Sequence, residues 1–148
     1  MKYRYRTVLS IAGSDCSGGA GIQADLKTIA SLGLYGASVV TAVTAQNTCG
    51  VRAIQAIEPH IVREQLEAVF EDLTIDAVKI GMLLNAENVH AVAEVLERYR
   101  PRWVVLDPVM LSTSGSRLLE EEAIGCMVRE LFPLAHLVTP NLPEAEYL

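Results

Sequence analysis

Short runs of apolar and β-branched residues alternate with stretches of helical period along the chain, and this alternation restricts its fold more than any other feature. Residues 7–12 (TVLSIA) read as a strand closed by Gly13. Residues 21–32 carry Ile22, Leu26 and Ile29 at helical spacing. Residues 37–45 (ASVVTAVTA) read as one buried parallel strand, because such strands are near-continuous apolar runs. Residues 46–58, with Asn47 and Gly50, read as a loop with an extended excursion. Val62, Leu66, Val69, Phe70 and Leu73 then form a helical stripe behind Pro59. Residues 76–81 predict a short strand, and Val89, Val92, Ala93 and Leu96 a helix that ends before Pro101. Residues 103–106 predict a strand running into Asp107-Pro108. A helix is expected over 117–132, with Glu120, Glu121 and Glu122 in the first turns, where the helix dipole favours negative charge. Residues 135–138 predict the last strand. The expected fold class is α/β: an open, mostly parallel sheet with helices on both faces. No internal repeat or linker-like stretch divides the chain.

Composition narrows the function classes. The chain has 148 residues, 51% hydrophobic, which excludes a disordered segment. Acidic residues outnumber basic ones by 18 to 12, a net charge of −6, so a phosphate backbone is repelled unless a local basic patch intervenes. The one basic cluster, Lys2, Arg4 and Arg6 interleaved with Tyr3 and Tyr5, reads as the solvated face of the first strand. Cys16, Cys49 and Cys126 form no C-x-x-C pair, so neither a zinc site nor a disulfide framework is indicated, and a reducing cytoplasm fits best. His60, His90 and His136 are scattered; they read as helix-surface or strand-end residues, and Cys126 as core. No apolar run approaches the ~20 residues of a membrane span, and the N-terminus lacks a signal-peptide pattern. A cytoplasmic protein with no nucleic-acid or membrane partner is expected.

Ligands of open α/β sheets bind at the carboxyl ends of the strands. The predicted elements place five segments there: residues 13–21 (GSDCSGGAG), 46–48, 81–83, 107–110 and 141–144. The glycine-rich loop follows a strand and opens a helix, the context of a phosphate cradle. It fits neither G-x-x-x-x-G-K-[ST] nor G-x-G-x-x-G, so it reads either as a tight turn or as a wall where backbone approaches a ligand. Gln46 offers one acceptor and two donors, which match an aminopyrimidine edge; a local backbone contact is the competing reading. Met82 is suited to lie against a flat ring, or to fill core. Asp107 and Glu144 can hold Mg²⁺ through water, or serve as a turn residue and a cap.

The chain's last residues carry a further signal. Asn141 and Glu144 form a capping-box pattern that opens a helix. The sequence then stops at Leu148, after roughly one turn, which does not recover the cost of helix nucleation. The 148 residues are therefore expected to be one part of a larger domain.

Taken together, these segments closely resemble a known family. Residues 11–27 (IAGSDCSGGAGIQADLK), Tyr35-Gly36, Thr41-Ala42, residues 45–51, 79–83, 105–110 and 139–145 resemble the hydroxymethylpyrimidine/phosphomethylpyrimidine kinases of thiamin biosynthesis, in order and across essentially the whole chain. The resemblance implies a ribokinase-like fold, with residues 1–148 as the N-terminal part of a single kinase domain whose C-terminal part is absent. It implies ATP- and Mg²⁺-dependent phosphorylation of 4-amino-5-hydroxymethyl-2-methylpyrimidine, and of its monophosphate. It places Gly13, Asp25, Gln46, Met82 and Val109 in the pyrimidine pocket. Asp107 and Glu144 fall near the metal and Asn141 near the ATP phosphates. Cys16 stands where the family often has Pro and is assigned no catalytic role. Family members continue past residues 141–144 into strands and helices that carry the adenine site and a Gly-Thr-Gly-Cys-type anion loop, so the catalytic residue is expected beyond Leu148. A homodimer is implied, with the segment 46–58 as lid or contact. Two alternatives stand beside this reading: a chain that binds the pyrimidine without transferring phosphate, and a related pyridoxal kinase.

Overall fold

The structure is a computed structural model that describes residues 4–110 and 119–148. Lys2, Tyr3 and the expected helix start at 117–118 lie outside the described residues. In chain order the elements are β1 (Thr7–Ala12), α1 (Gly21–Ser31), β2 (Tyr35–Val40), β3 (Ala42–Asn47), β4 (Gly50–Ala56), α2 (Pro59–Asp72), β5 (Ala77–Ile80), α3 (Ala86–Tyr99), β6 (Val104–Leu106), α4 (Glu121–Glu130), a 3-10 turn (Phe132–Leu134), β7 (Leu137–Val138) and α5 (Leu142–Tyr147). Five strands form one sheet in the order β2-β1-β5-β6-β7, every neighbouring pair parallel.

Side-chain alternation along β1 shows how the helices divide between the two faces. Leu9 and Ile11 are fully buried in a core shared with Val62 and Leu66 of α2 and with Val92 and Leu96 of α3. Ser10, pointing the other way, bonds Asp25 of α1. Thus α1 covers one face, while α2, α3 and α4 pack side by side on the other. Right-handed crossovers require this arrangement, because the chain moves in one direction from β1 to β2 and in the opposite direction from β2 to β5, β6 and β7.

Four expectations are corrected in whole or in part. Residues 37–45 are not one strand. The chain pairs with β1 through Val40, turns at Thr41, and continues as β3, which leaves the sheet to form an antiparallel hairpin with β4. Thr41 fixes the turn from both ends: its N–H donates to the Ala12 carbonyl at 3.0 Å and its hydroxyl to the Met82 carbonyl at 2.6 Å. The extended excursion expected within 46–58 is present as Gly50–Ala56, but it is the hairpin's return strand and not part of a loop. Nor do Arg4 and Arg6 lie on a strand face. They sit on the exposed approach to β1, which starts at Thr7, and Arg4 is bonded to Asp76 at 2.6 Å. The expected helix 117–132 is shorter where it is described. It runs over Glu121–Glu130 and yields to the 3-10 turn containing Pro133, which has no N–H to continue the ladder.

Candidate functional site

Strand order reverses beside β1, so the carboxyl ends of β1 and β5 splay apart and open a crevice. A cleft of about 310 Å³ lies there. Gly13, Asp15, Asp25, Gln46, Lys79, Met82, Asp107 and Val109 are among its lining residues. The structure therefore brings all five sequence-predicted pyrimidine residues, and Asp107, to one cavity. A volume of this size suits a small organic ring, since ligand pockets begin at roughly 300 Å³.

The glycine-rich loop is held by Asp15, a residue the sequence reading did not single out. Its side chain is 3% exposed and accepts four hydrogen bonds from the loop itself. Oδ1 takes the Ser17 N–H (2.9 Å) and hydroxyl (2.8 Å), and Oδ2 the N–H groups of Gly19 (3.0 Å) and Ala20 (2.8 Å). Burial alone pushes this carboxyl up, but the bonds from Ser17, Ala20 and Gly19 outweigh it and hold Asp15 below its ordinary 3.8. Gly21 then opens α1 at φ +57°, where an added Cβ would lie 2.4 Å from the Gly13 carbonyl oxygen. Only glycine allows that approach. The signal for Asp15 was present: an Asp followed two residues later by Ser, within glycines, is an Asx-turn pattern.

The opposite wall is built by the hairpin. A register shift between Ala45 and Gln46 disturbs the β3–β4 ladder, and such irregularities re-aim a side chain. The Thr44 hydroxyl donates its one hydrogen to the Ser14 carbonyl at 2.8 Å, and Gln46 Oε1 lies 3.3 Å from the same hydroxyl oxygen. Cys16 ties the loop to the same point, its thiol donating to the Gln46 carbonyl at 3.0 Å and its sulfur accepting the Gln46 N–H at 3.3 Å. Met82 packs with Ala42 and Val109 in a small apolar cluster separate from the main core. Its carbonyl is held by the Thr41 hydroxyl, and Thr41 in turn by Asn88, a fully buried residue the sequence reading also missed. Asn88 Nδ2 donates to the carbonyls of Leu83 (3.0 Å) and Thr41 (3.3 Å), pinning the segment after β5 to the turn after β2.

Charge collects at the cleft floor. Asp25 Oδ2 accepts from the Ser10 hydroxyl at 2.6 Å and from Lys79 Nζ at 3.0 Å. Asp107, at the carboxyl end of β6, is raised above its ordinary 3.8 by burial; Lys79 opposes the rise, and the negative charges of Glu144 and Asp25 add to it. Asn141 and Glu144 form the predicted capping box on α5: Asn141 Oδ1 accepts the Glu144 N–H and Glu144 Oε2 accepts the Asn141 N–H. Glu144 is also buried, and its Oε1 accepts the Met110 N–H at 3.3 Å, which docks α5 against the segment carrying Asp107 and Val109. Hard carboxylate oxygens facing a surplus of negative charge are the donor chemistry that Mg²⁺ takes, so Asp107 and Glu144 fit such an ion.

The three histidines are scattered over helix surface and strand end as expected, but one of them is not isolated from other ligand-type side chains. His136 precedes β7, where Nδ1 accepts the Val104 N–H at 3.2 Å, and His60 is exposed on α2. His90, by contrast, lies between Glu130 and Cys126, because α3 and α4 are adjacent. That proximity has no signature in sequence spacing.

A parallel α/β sheet with a cleft at its switch point and a carboxylate cluster on the cleft floor is shared by many α/β families, and the superposition of solved kinase structures narrows this one to a ribokinase-like fold. Comparison with known proteins specifies which one: residues 15–148 match the phosphomethylpyrimidine kinase family, and the chain belongs to it. It is 58% identical over 137 residues to a hydroxymethylpyrimidine/phosphomethylpyrimidine kinase of Rhizobium meliloti, covering 93% of this chain and 51% of that protein. A crystal structure of phosphomethylpyrimidine kinase from Clostridium difficile superposes with a TM-score of 0.90 at 53% identity, covering 96% of this chain and 62% of that one. A pyridoxal kinase from Staphylococcus aureus, in complex with AMP-PCP and pyridoxal, superposes at 0.86 with 35% identity, covering 99% and 52%. The chain spans about half the length of most of the curated kinases it matches.

Proposed function

We propose that this chain supplies the substrate half of an ATP-dependent kinase that phosphorylates 4-amino-5-hydroxymethyl-2-methylpyrimidine and then its monophosphate. The observation that carries the reading is the convergence of Gln46, Met82, Val109, Gly13 and Asp25, with Asp107, on one cleft. Gln46 pairs with the ring nitrogen and amino group of the pyrimidine through its carboxamide. Met82 and Val109 press on the ring faces, and Gly13 lets the ring approach the backbone. The Asp25 carboxylate, aimed by Ser10 and Lys79, accepts from a polar edge of the substrate.

Phosphoryl transfer depends on positioning and on charge stabilisation. Asp107 and Glu144 would hold Mg²⁺ through water, and the ion would neutralise charge on the ATP phosphates beside Asn141. Both Glu144 oxygens already accept one N–H, yet each keeps a further lone pair for a metal-bound water. The support for ATP is the AMP-PCP bound by the related pyridoxal kinase. A homodimer in the cytoplasm completes the proposal. No described helix is long and apolar enough to cross a membrane, and the net charge of −6 disfavours nucleic acid.

Calorimetry with the pyrimidine alcohol, run beside a coupled ADP-release assay, tests the proposal. Binding is expected, and Gln46→Ala should weaken it by about 1–3 kcal/mol, the cost of leaving a buried polar edge unpaired. Absence of binding, or an unchanged affinity in Gln46→Ala, would overturn it. Binding without turnover would assign phosphoryl transfer to residues outside this chain. Competition between the pyrimidine and pyridoxal addresses the second reading, which the likeness to pyridoxal kinases favours. A preference for pyridoxal would reverse the substrate assignment. Light scattering at micromolar concentration is expected to give a dimeric mass.

A further inference from the structure

On the sheet face opposite α1, three side chains of a different chemistry meet. His90 lies in the early turns of α3, and Cys126 and Glu130 are four residues apart on the neighbouring α4, so both project from one side of that helix. His90 Nδ1 is 2.6 Å from Glu130 Oε2, and its Nε2 is 3.8 Å from Cys126 Sγ. One sulfur, one imidazole nitrogen and one carboxylate oxygen thus lie within 4.8 Å of one another. Among the described residues no other group of three His, Cys, Asp or Glu side chains is so placed.

We propose that His90, Cys126 and Glu130 form a binding site for a thiophilic divalent cation of the zinc type, clamping α3 to α4. The spacing of the two stronger ligands is already right. Zinc bonds of about 2.3 Å to thiolate and about 2.0 Å to imidazole, at a tetrahedral angle, put sulfur and nitrogen about 3.6 Å apart. The observed 3.8 Å therefore needs only a small closure. The donor set agrees: thiolate and imidazole favour zinc, and one carboxylate and a water complete four-coordination. Without metal, Glu130 holds the ring through Nδ1 and leaves Nε2 directed at the sulfur; to serve as the third ligand its carboxylate leaves Nδ1 and rotates towards the sulfur side. Access is built in, because the His90 side chain is 54% exposed while Cys126 is buried beneath it. The Arg129 guanidinium donates to Cys126 Sγ at 3.2 Å, and Arg129 is exposed, so it can give up that bond and turn to solvent.

The site is independent of the cleft and is tested without substrate. Co²⁺ and then Zn²⁺ are titrated into the purified, metal-free chain, and spectra and calorimetry are recorded. The expected result is a thiolate-to-cobalt charge-transfer band with intense tetrahedral d–d absorption, both abolished by Zn²⁺. Cys126→Ser should remove the charge-transfer band. His90→Ala and Glu130→Gln should each weaken Zn²⁺ binding about tenfold or more, the usual effect of losing a ligand or its support. Gln at 130 can still accept from the ring N–H, so it separates ligation from ring orientation. His90 is half exposed, so its variant stays informative if Cys126→Ser fails to fold. Absence of the charge-transfer band in the unaltered chain, or Zn²⁺ affinity unchanged in His90→Ala, would overturn the proposal.

Discussion

Asp15 and Asp107 line one cleft, yet their surroundings drive them in opposite directions, and the consequences for stability have opposite sign. Asp15 is held below 3.8, so its contribution is fully present above that pH and is lost as the pH falls through its native value. Asp107 is held above 3.8, so between 3.8 and its native value the folded chain binds more protons than the unfolded one. Stability therefore falls as the pH rises through that window and stays lower above it. Asp107→Asn should raise Tm at pH 7 and flatten the pH dependence of unfolding just above 3.8, while Asp15→Asn should lower stability by about 1–3 kcal/mol at neutral pH. Thermal unfolding followed across pH checks both; a lower Tm for Asp107→Asn at pH 7 would refute the first. Asn88→Asp should be worse, because it removes the donor from two buried carbonyls and buries a charge. A loss of several kcal/mol of unfolding free energy, read as a lower denaturant midpoint at unchanged m-value, with the cleft's Met82 wall loosened, is the expected outcome. Asp107 could be read from the sequence because a carboxylate at a strand end is a local pattern. Asn88 could not, since both its partners come from other elements of the fold.

At the scale of elements, the glycine-rich loop makes two similar substitutions behave differently. In Gly21→Ala the new Cβ meets backbone, the Gly13 carbonyl, at positive φ. Neither can yield, so a loss of about 1–3 kcal/mol from the backbone conformation alone is expected, with the clash added. In Gly13→Ala the Cβ meets the Met82 Cε at 2.2 Å, the free end of a flexible side chain. Stability should change little, while Met82 is displaced within the cleft and pyrimidine affinity drops. Chemical denaturation paired with calorimetry separates the two, and equal effects of both variants on stability would contradict the argument. The C-cap of α3 offers a third case. Arg100 has φ +47°, a conformation that costs a non-glycine residue about 1–2 kcal/mol, so Arg100→Gly should stabilise the chain. Helices α1, α2 and α3 were legible because their apolar periods are local. The break at Thr41 was not: β2 and β3 form one continuous apolar run, and what divides them is a pair of hydrogen bonds to Ala12 and Met82. The hairpin therefore belongs to the tertiary structure, although both its strands are local in sequence.

For the whole molecule, the order β2-β1-β5-β6-β7 makes β1 and β5 interior strands, while β2 and β7 lie at the edges and the β3–β4 hairpin stands outside the sheet. Amide exchange should follow that order, slowest at Leu9, Ile11, Val78 and Ile80 and fastest in the hairpin, where Val43 and Ala53 are exposed. Protection in the hairpin equal to that of β1 would show that it opens only with the rest. The same strand order has a meaning on the ribosome. The unit β1–α1–β2 is complete by Val40, but the second neighbour of β1 does not exist until Ile80 has been made. At about 5–20 residues per second, the ~40 residues between them take roughly 2–8 s to add. Throughout that interval the nascent chain presents β1 with one edge unpaired, and the apolar Leu9 and Ile11 lack α2 until Asp72 and α3 until Tyr99, the exposure to which chaperones and misassembly both respond.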